Sequence, residues 1–296
     1  MSWIFLTLLS VNFFSISNVF DKFFISKKFK SVYSFAVVIN IVYLIFFSIT
    51  AFFIRNTFIL SWGLFWTFVA SICYFLMWIF WWKALTTGEV SRVIAIFFTS
   101  PIFNALLAII FLKESISGLK WLAILFIVTG AILSTWESKQ TKKVFNKAYI
   151  FALLAAIVAS LGNVLSKQAM VYWQPLTVQV FGSLVALPLY LLLLLKKQVF
   201  DEVKKTFTTF RSSLMILLRG FIGFLATCSF TLAVGAGPVS LVVALNGGQP
   251  LMILIYSTII NVFWPKIIKE EISKGNLFYK VTEIILIDVG AVIISL

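Results

Sequence analysis

Histidine is absent from this chain of 296 residues, and charged residues make up only 11% of it. The absence of histidine removes the commonest metal ligand and the usual general base near neutral pH. The two cysteines, Cys73 and Cys228, lie in separate apolar runs and lack the spacing of a zinc or redox motif. We therefore expect no catalytic residues, no metal site, no cofactor and no enzymatic activity.

What the chain has instead is apolar residues, which make up 61% of it. A soluble domain is roughly half apolar and about a quarter charged, so we expect the lipid bilayer to surround most of this protein. The net charge of +14 does not indicate nucleic acid, because the basic residues stand between apolar runs and form no continuous basic face.

Apolar stretches bounded by charged or turn residues predict ten membrane spans. They lie near residues 3–21, 32–54, 60–84, 90–112, 121–136, 148–166, 176–195, 214–234, 239–262 and 279–296. A crossing takes about 20 residues, so ten of them leave short loops and no room for a soluble catalytic domain.

The distribution of lysine and arginine predicts the orientation, because these residues are retained on the cytoplasmic side of short loops. Of the 24 basic residues, all but four fall in or beside the loops that follow the odd-numbered spans. The four exceptions are Arg55, Lys113, Lys120 and Lys167. We therefore predict that both termini lie outside the cytoplasm.

The chain repeats itself in order, which indicates an internal duplication. Asn18 and Lys22 recur as Asn163 and Lys167, 145 positions later, and Pro101 in span 4 recurs as Pro250 in span 9. Five spans are an odd number, so the second copy must enter the membrane from the opposite side. The predicted fold is all-α, with two inverted five-helix repeats at residues 1–137 and 148–296, joined by a basic cytoplasmic linker at residues 138–147.

Several short motifs give this sequence a resemblance to the ten-helix, EamA-like members of the drug/metabolite transporter superfamily. Those of the first half are Gly88-Glu89-Val90-Ser91, Pro101, Leu112-Lys113-Glu114-Ser115-Ile116-Ser117 and Gly130-Ala131-Ile132-Leu133. Their counterparts are Gly237-Pro238-Val239-Ser240, Pro250, Lys269-Glu270-Glu271-Ile272-Ser273 and Gly290-Ala291-Val292-Ile293.

The resemblance implies a central cavity lined by spans 1, 3, 4, 6, 8 and 9, with spans 5 and 10 peripheral. It also implies substrates among amino acids, related metabolites, drugs or sugar conjugates. The sequence departs from the family pattern at Lys113, where the family has a small residue, and at an insertion that begins with Trp264-Pro265-Lys266.

Prolines within spans 4 and 9 predict helix breaks that face the cavity, because a proline frees a carbonyl that must be satisfied inside the protein. Around Pro250, Asn246 and Gln249 flank two glycines, so an unwound turn here could offer polar groups to a ligand. We favour that interpretation over a simple packing kink. The first-half counterpart, with Thr99 and Pro101, is less polar, and the site is therefore expected to be asymmetric.

Four further residues of the spans are candidates for the cavity wall. Asn18 and Asn163 hold equivalent positions, where an asparagine either contacts the ligand or hydrogen-bonds across to another helix. Tyr74 and Trp78 are spaced to share one helix face and could stack a planar or cationic substrate. For Trp78 the alternative is an anchor at the membrane interface.

Three charged residues complete the set of positions considered. Asp288 is the one acid predicted well inside a span, so it is a candidate for proton coupling, with a packing role as the favoured alternative. We expect Arg219 to snorkel to the cytoplasmic surface and Glu114 to be an ordinary solvated loop charge.

The predicted function is secondary transport by alternating access, most simply the export of amino acids or related small metabolites. No Walker-type nucleotide-binding motif occurs, so the energy must come from a gradient, for which a proton or counter-ion is a candidate, or from an exchanged substrate. The alternatives are a lipid-linked or nucleotide-sugar translocator and, from another class, a non-transporting assembly or sensor protein. Abundant phenylalanine, lysine and isoleucine are typical of an AT-rich coding genome. We therefore predict the plasma membrane of a prokaryote, with a monomer or homodimer as the working unit.

Overall fold

A computed structural model describes residues 2–54, 57–87, 90–134, 147–207, 210–263 and 277–295. All regular secondary structure in these residues is helical. The predicted linker, apart from Lys147, lies outside the described residues. So do the insertion at residues 264–266 and the motif residues Gly88, Glu89 and Glu270.

Thirteen α-helices run through the described residues. Those of the first half are α1 (Trp3–Lys27), α2 (Val32–Ile54), α3 (Trp62–Thr87), α4 (Val90–Phe97), α5 (Ser100–Leu112) and α6 (Gly118–Ser134). Those of the second half are α7 (Lys147–Ala169), α8 (Pro175–Leu191), α9 (Lys197–Thr206), α10 (Phe210–Ala236), α11 (Val239–Asn246), α12 (Gln249–Phe263) and α13 (Leu277–Ser295). A 3₁₀ turn over Leu192–Leu195 extends α8.

Six of these helices are long and apolar enough to cross a membrane, counted over the described parts of the chain. They are α1, α2, α3, α7, α8 with its 3₁₀ turn, and α10. Four shorter apolar segments, Ser100–Leu112, Gly118–Leu133, Val239–Ile253 and Ile285–Ile294, accompany them. Every predicted span therefore contains apolar helix, although α1 continues to Lys27, six residues past the predicted end at residue 21.

The helix breaks expected in spans 4 and 9 are present. Helix α4 ends at Phe97 and α5 begins at Ser100, with Pro101 in its first turn. Helix α11 ends at Asn246 and α12 begins at Gln249, after Gly247 and Gly248. A proline in a first turn has no N–H that the helix would need, which is why each new helix begins beside one.

The helices pack in a pattern that survives exchange of the two halves. In the repeat, α7 corresponds to α1 and α3 corresponds to α10. Helix α1 packs on α10, and α7 packs in the same way on α3. Helix α2 packs on α8, and α6 packs on α13, so each of these pairs joins equivalent helices. The α6–α13 contact is close, since a Cβ on Gly290 would lie 2.9 Å from the Ala123 carbonyl oxygen.

Small residues allow α7 to approach its neighbours closely. Its buried side chains include Ala148, Ala152, Ala155, Ala156 and Ala159, in which each alanine follows the one before it by one to four positions. Without water to drive apolar association, small side chains that let backbones meet are a main source of contact energy between membrane helices. Helix α7 packs on α3, α4 and α5 through this composition.

Helix α9 is amphipathic and does not belong to the predicted spans. Val199 and Val203, one turn apart, are buried against α2 and α10, while Phe200 and two lysines are exposed. The carboxylate of Glu202 accepts hydrogen bonds from the backbone N–H groups of Lys30 and Ser31. These bonds attach α9 to the start of α2.

Candidate functional site: a polar cavity between the halves

A cavity of about 270 Å³ lies between helices of both halves. Its walls come from α1, α2 and α3 of the first half and from α7, α8 and α10 of the second. Its polar lining residues are Asn40, Tyr43, Thr67, Ser71, Tyr74, Asn163, Ser166, Gln179, Ser183, Tyr190, Thr227 and Thr231. Aromatic rings of Phe14, Phe47, Phe75, Trp78 and Phe230 cover much of the rest. None of the described lining residues carries a charge.

The contact between α3 and α7 places three predicted site residues in this wall. The Tyr74 hydroxyl donates a hydrogen bond to Asn163 Oδ1 at 2.8 Å, and Ser166 Oγ lies 3.4 Å from the same hydroxyl. A Cβ on Gly162 would lie 3.2 Å from the Tyr74 ring, so glycine lets that ring lie against α7. Trp78 lines the cavity one turn further along α3 and is 40% exposed.

Hydroxyl and amide groups on the opposite wall extend the polar surface. The Thr231 hydroxyl on α10 donates to Gln179 Oε1 on α8 at 2.9 Å. Thr67 is 1% exposed, and its hydroxyl oxygen has no hydrogen-bond partner among the described residues. Thr67 lies on α3 with Tyr74, and its enclosed hydroxyl costs free energy because it is buried without a partner in the described part of the chain.

The polar break between α11 and α12 lies against α1, outside the cavity lining. Asn246 donates to Ser10 Oγ at 3.1 Å, and Gln249 donates to Asn246 Oδ1 at 2.8 Å. Asn18, an exposed residue, donates to Gln249 Oε1 at 3.2 Å. These amides therefore have protein partners, and they hold α1 to the broken helix.

The remaining predicted site residues also lie apart from the cavity lining. Thr99 donates to the Ile96 carbonyl and closes the end of α4, while Pro101 and Pro250 are buried. Asp288 is exposed on α13. Spans 4 and 9 were expected to line the cavity, but α7 covers the first break and α1 covers the second. Helices α2 and α8 supply those walls instead.

A buried ion pair adjoins the cavity, and the sequence did not predict it. The Arg219 guanidinium on α10 donates to both carboxylate oxygens of Asp21 on α1, from Nε at 2.5 Å and from Nη2 at 2.6 Å. Its Nη1 donates to the Tyr43 hydroxyl at 2.9 Å. Arg219 is only 7% exposed. The expectation that it snorkels to the surface is therefore wrong, because α1 continues past residue 21 and presents an acid to it.

Glu114 likewise has a structural partner instead of being a solvated loop charge. Its carboxylate accepts from the backbone N–H groups of Val239 and Ser240 at 2.8 and 3.3 Å, and from the Ser240 hydroxyl at 2.5 Å. A carboxylate at a helix N-terminus satisfies N–H groups that have no partner within the helix. Lys167 complements it by donating to the carbonyls of Val234, Gly235 and Gly237 at the end of α10.

Sequence comparison matches the model of the EamA-like transporter family to this chain twice, over residues 1–136 and 146–269. The chain belongs to the EamA-like transporter family. No curated protein matches it significantly. A solved structure described only as "Crystal structure of protein" is similar in fold, with a TM-score of 0.75 and 13% identity, covering 98% of this chain and 95% of that one.

Membership of the family establishes the general class of activity. This EamA-like protein is an integral membrane transporter of the drug/metabolite type, with helices that suit a bilayer. Family members are transporters and not enzymes. The two family matches, one in each half, agree with the ordered repeats in the sequence.

Proposed function

We propose that this EamA-like protein is a secondary transporter that exports amino acids or related small metabolites through the cavity between its halves. The observation that carries the proposal is the cavity itself, whose wall combines uncharged hydrogen-bonding groups with aromatic rings. Its volume of about 270 Å³ is close to the lower limit of about 300 Å³ for ligand pockets. It therefore suits a small solute.

The lining favours a solute that carries no net charge. Moving an isolated charge out of water into such a site is costly unless an opposite charge meets it, and the described lining offers only hydroxyls, amides and rings. A nucleotide-sugar carries a net negative diphosphate and would gain no cationic partner from this wall. The wall therefore disfavours a nucleotide-sugar, and an amino acid, although it has no net charge, needs partners for its ammonium and carboxylate groups from beyond this lining.

Alternating access follows from two halves that can exchange conformations. We propose ten membrane crossings in two inverted five-helix repeats, at residues 1–137 and 148–296. The exchange-invariant packing of α1–α10 and α3–α7 supports this arrangement, as do the matching breaks in spans 4 and 9. If each half adopts the conformation of the other, the cavity opens to the opposite side of the membrane.

The test of transport is flux into proteoliposomes, with a matched pair of glutamine variants. Gln179→Ala removes a cavity amide that bonds Thr231, whereas Gln198→Ala makes the same change on the exposed face of α9. We expect flux of labelled amino acids above that of empty vesicles, reduced by the first variant and not by the second. If no amino acid, sugar or other metabolite crosses faster than in empty vesicles, the protein fits an assembly or sensor role better.

Orientation is tested with an impermeant maleimide on intact cells. In a background in which both native cysteines are replaced by alanine, Ser2→Cys should be labelled from outside, because we propose both termini on the non-cytoplasmic side. Gln198→Cys on α9 should be labelled only after the cells are opened. The plasma membrane of a prokaryote is the proposed location, and the reverse labelling pattern would contradict the orientation.

A further inference from the structure

The Asp21–Arg219 pair lies between α1, α2 and α10 and is paired as a fork, with the Arg219 side chain buried and the Asp21 side chain 20% exposed. Two parallel hydrogen bonds join the guanidinium to the carboxylate, and the Phe35 and Tyr43 rings lie within 6 Å of the guanidinium, at 5.7 and 5.8 Å. Arginine is suited to such planar recognition of a carboxylate. Three of its five N–H groups are used by Asp21 and Tyr43.

Tyr43 connects this pair to the cavity. Its ring belongs to the cavity wall, and its hydroxyl accepts the hydrogen bond from Arg219 Nη1. The guanidinium therefore lies one hydrogen bond behind the lining. Among the described residues, two charged side chains hydrogen-bond a lining residue: Arg219 bonds the Tyr43 hydroxyl, and Lys167 bonds the backbone carbonyl of Val234. Of the two, only Arg219 is joined to a carboxylate in the same contact.

In the internal repeat, the equivalent contact of the other helix pair is made without charges. Asn18 corresponds to Asn163 at an offset of 145, and the same offset aligns Asp21 with Ser166. Ser166 lies on α7 and contacts Tyr74 on α3. The pair α7–α3 is equivalent to the pair α1–α10. One copy of this contact is neutral and the other is charged. A buried ion pair is weak evidence for stability. We therefore look for a role of Asp21 and Arg219 other than stabilising the fold.

We propose that Asp21 and Arg219 form the subsite that recognises the two charged groups of an α-amino acid zwitterion. The inference rests on the proposed transport function. The pair separates as the solute enters, the solute carboxylate binds Arg219 with Tyr43, and the solute ammonium binds Asp21. Two ion pairs replace one, and the site gains no net charge.

In this arrangement the solute is selected by its two charged groups, and its side chain contacts the aromatic rings of the cavity wall. A solute with only an ammonium or only a carboxylate would leave Arg219 or Asp21 buried without a partner, which is strongly unfavourable. A site built to bond a substrate group rejects analogues that lack the group far more strongly than it rejects changes of apolar size. We therefore expect the protein to require both the α-ammonium and the α-carboxylate group of the amino acid, and to accept different side chains.

The experiment measures uptake of a uniformly ¹⁴C-labelled amino-acid mixture by proteoliposomes, with three unlabelled competitors. These are the same amino acids unmodified, the N-acetylated mixture and the α-amide mixture. The variant is the neutral double substitution Asp21→Asn with Arg219→Gln, which removes both charges together, so that no lone charge is left buried. Thermal unfolding of each protein in detergent shows whether the variant folds.

In the wild type we expect only the unmodified mixture to compete. In the folded double variant, uptake should fall about tenfold or more, because hydrogen bonds to charged groups are the strong ones, and residual uptake should no longer discriminate among the competitors. Equal competition by all three mixtures in the wild type would overturn the proposal, as would unchanged discrimination in the variant.

A control separates this proposal from the transport function. Labelled uncharged solutes, such as a sugar and nucleoside mixture, are tested in parallel. Uptake of these without uptake of amino acids would leave transport standing and overturn the zwitterion subsite. Absence of uptake for every mixture would contradict the proposed function itself. If the double variant does not fold, Tyr43→Phe reports on the same subsite, since it removes the hydroxyl next to Arg219 and should weaken uptake without loss of either charge.

Discussion

Replacing Glu114 with glutamine should reduce the free energy of unfolding by about 2 kcal/mol. The carboxylate uses both oxygens, one on the Val239 N–H and the other on the Ser240 N–H and hydroxyl. Glutamine keeps one acceptor oxygen and turns an NH₂ group toward the other donor. The lost charge-assisted bond is worth about 1.5–3 kcal/mol and the lost charge at the helix N-terminus about 0.3–1 kcal/mol. We take the lower part of that range because Glu114 is half-buried.

The assay is equilibrium unfolding in mixed detergent and SDS micelles, with Asp201→Asn as the matched control. Asp201 is an exposed acid on α9, where the same chemical change should alter the free energy by less than about 0.5 kcal/mol. Equal losses in the two variants would show that the contact of Glu114 with α11 contributes nothing beyond a surface charge, and the reasoning from the helix N-terminus would then be refuted.

Three further predictions rest on single contacts. Lys113→Gly should raise the free energy of unfolding by about 1 kcal/mol, because Lys113 has a φ of 54°, which is unfavourable for a residue with a Cβ; no gain in an unfolding titration would contradict this. Gly220→Ala should cost about 1–3 kcal/mol, because its Cβ would overlap Val42. In the control Gly118→Ala, the added Cβ would meet nothing within 4 Å, and the free energy of unfolding should not fall. Tyr74→Phe should lower the free energy of unfolding of the ligand-free protein by about 1–2 kcal/mol, because Asn163 Oδ1 loses its hydrogen-bond donor; an unchanged unfolding titration would contradict this.

The helices and their breaks could be predicted because local chemistry determines them. An apolar run of crossing length has to satisfy its backbone internally, and a helix does so within the run itself. The run from residue 32 to residue 54 was predicted with the same bounds as α2. The two breaks were visible as Pro101 and Pro250, since proline limits the helix that precedes it.

The ion pair could not be predicted because its partners are 198 positions apart. Nothing in the sequence near Asp21 marks it as half-buried, and its position at the predicted end of the first span is where an exposed loop charge would be expected. A signal was present in the repeat, since Asp21 aligns with Ser166 in an otherwise matched segment. Where one half of the repeat has a charged residue and the other half has a small polar residue at the equivalent position, the two halves differ in chemistry at that position.

The same comparison explains why the residues that mark the family are mostly not the residues of the cavity. The prolines and the glycine-rich break end one helix and begin the next, and the amides beside them bind Ser10 and each other. Asn18 and Asn163 hold equivalent positions in the repeat of the sequence, yet Asn18 bonds Gln249 across to the broken helix while Asn163 bonds Tyr74 in the cavity wall. The motif held in common by both halves therefore marks the two helix breaks, whereas the cavity lining lies on other helices.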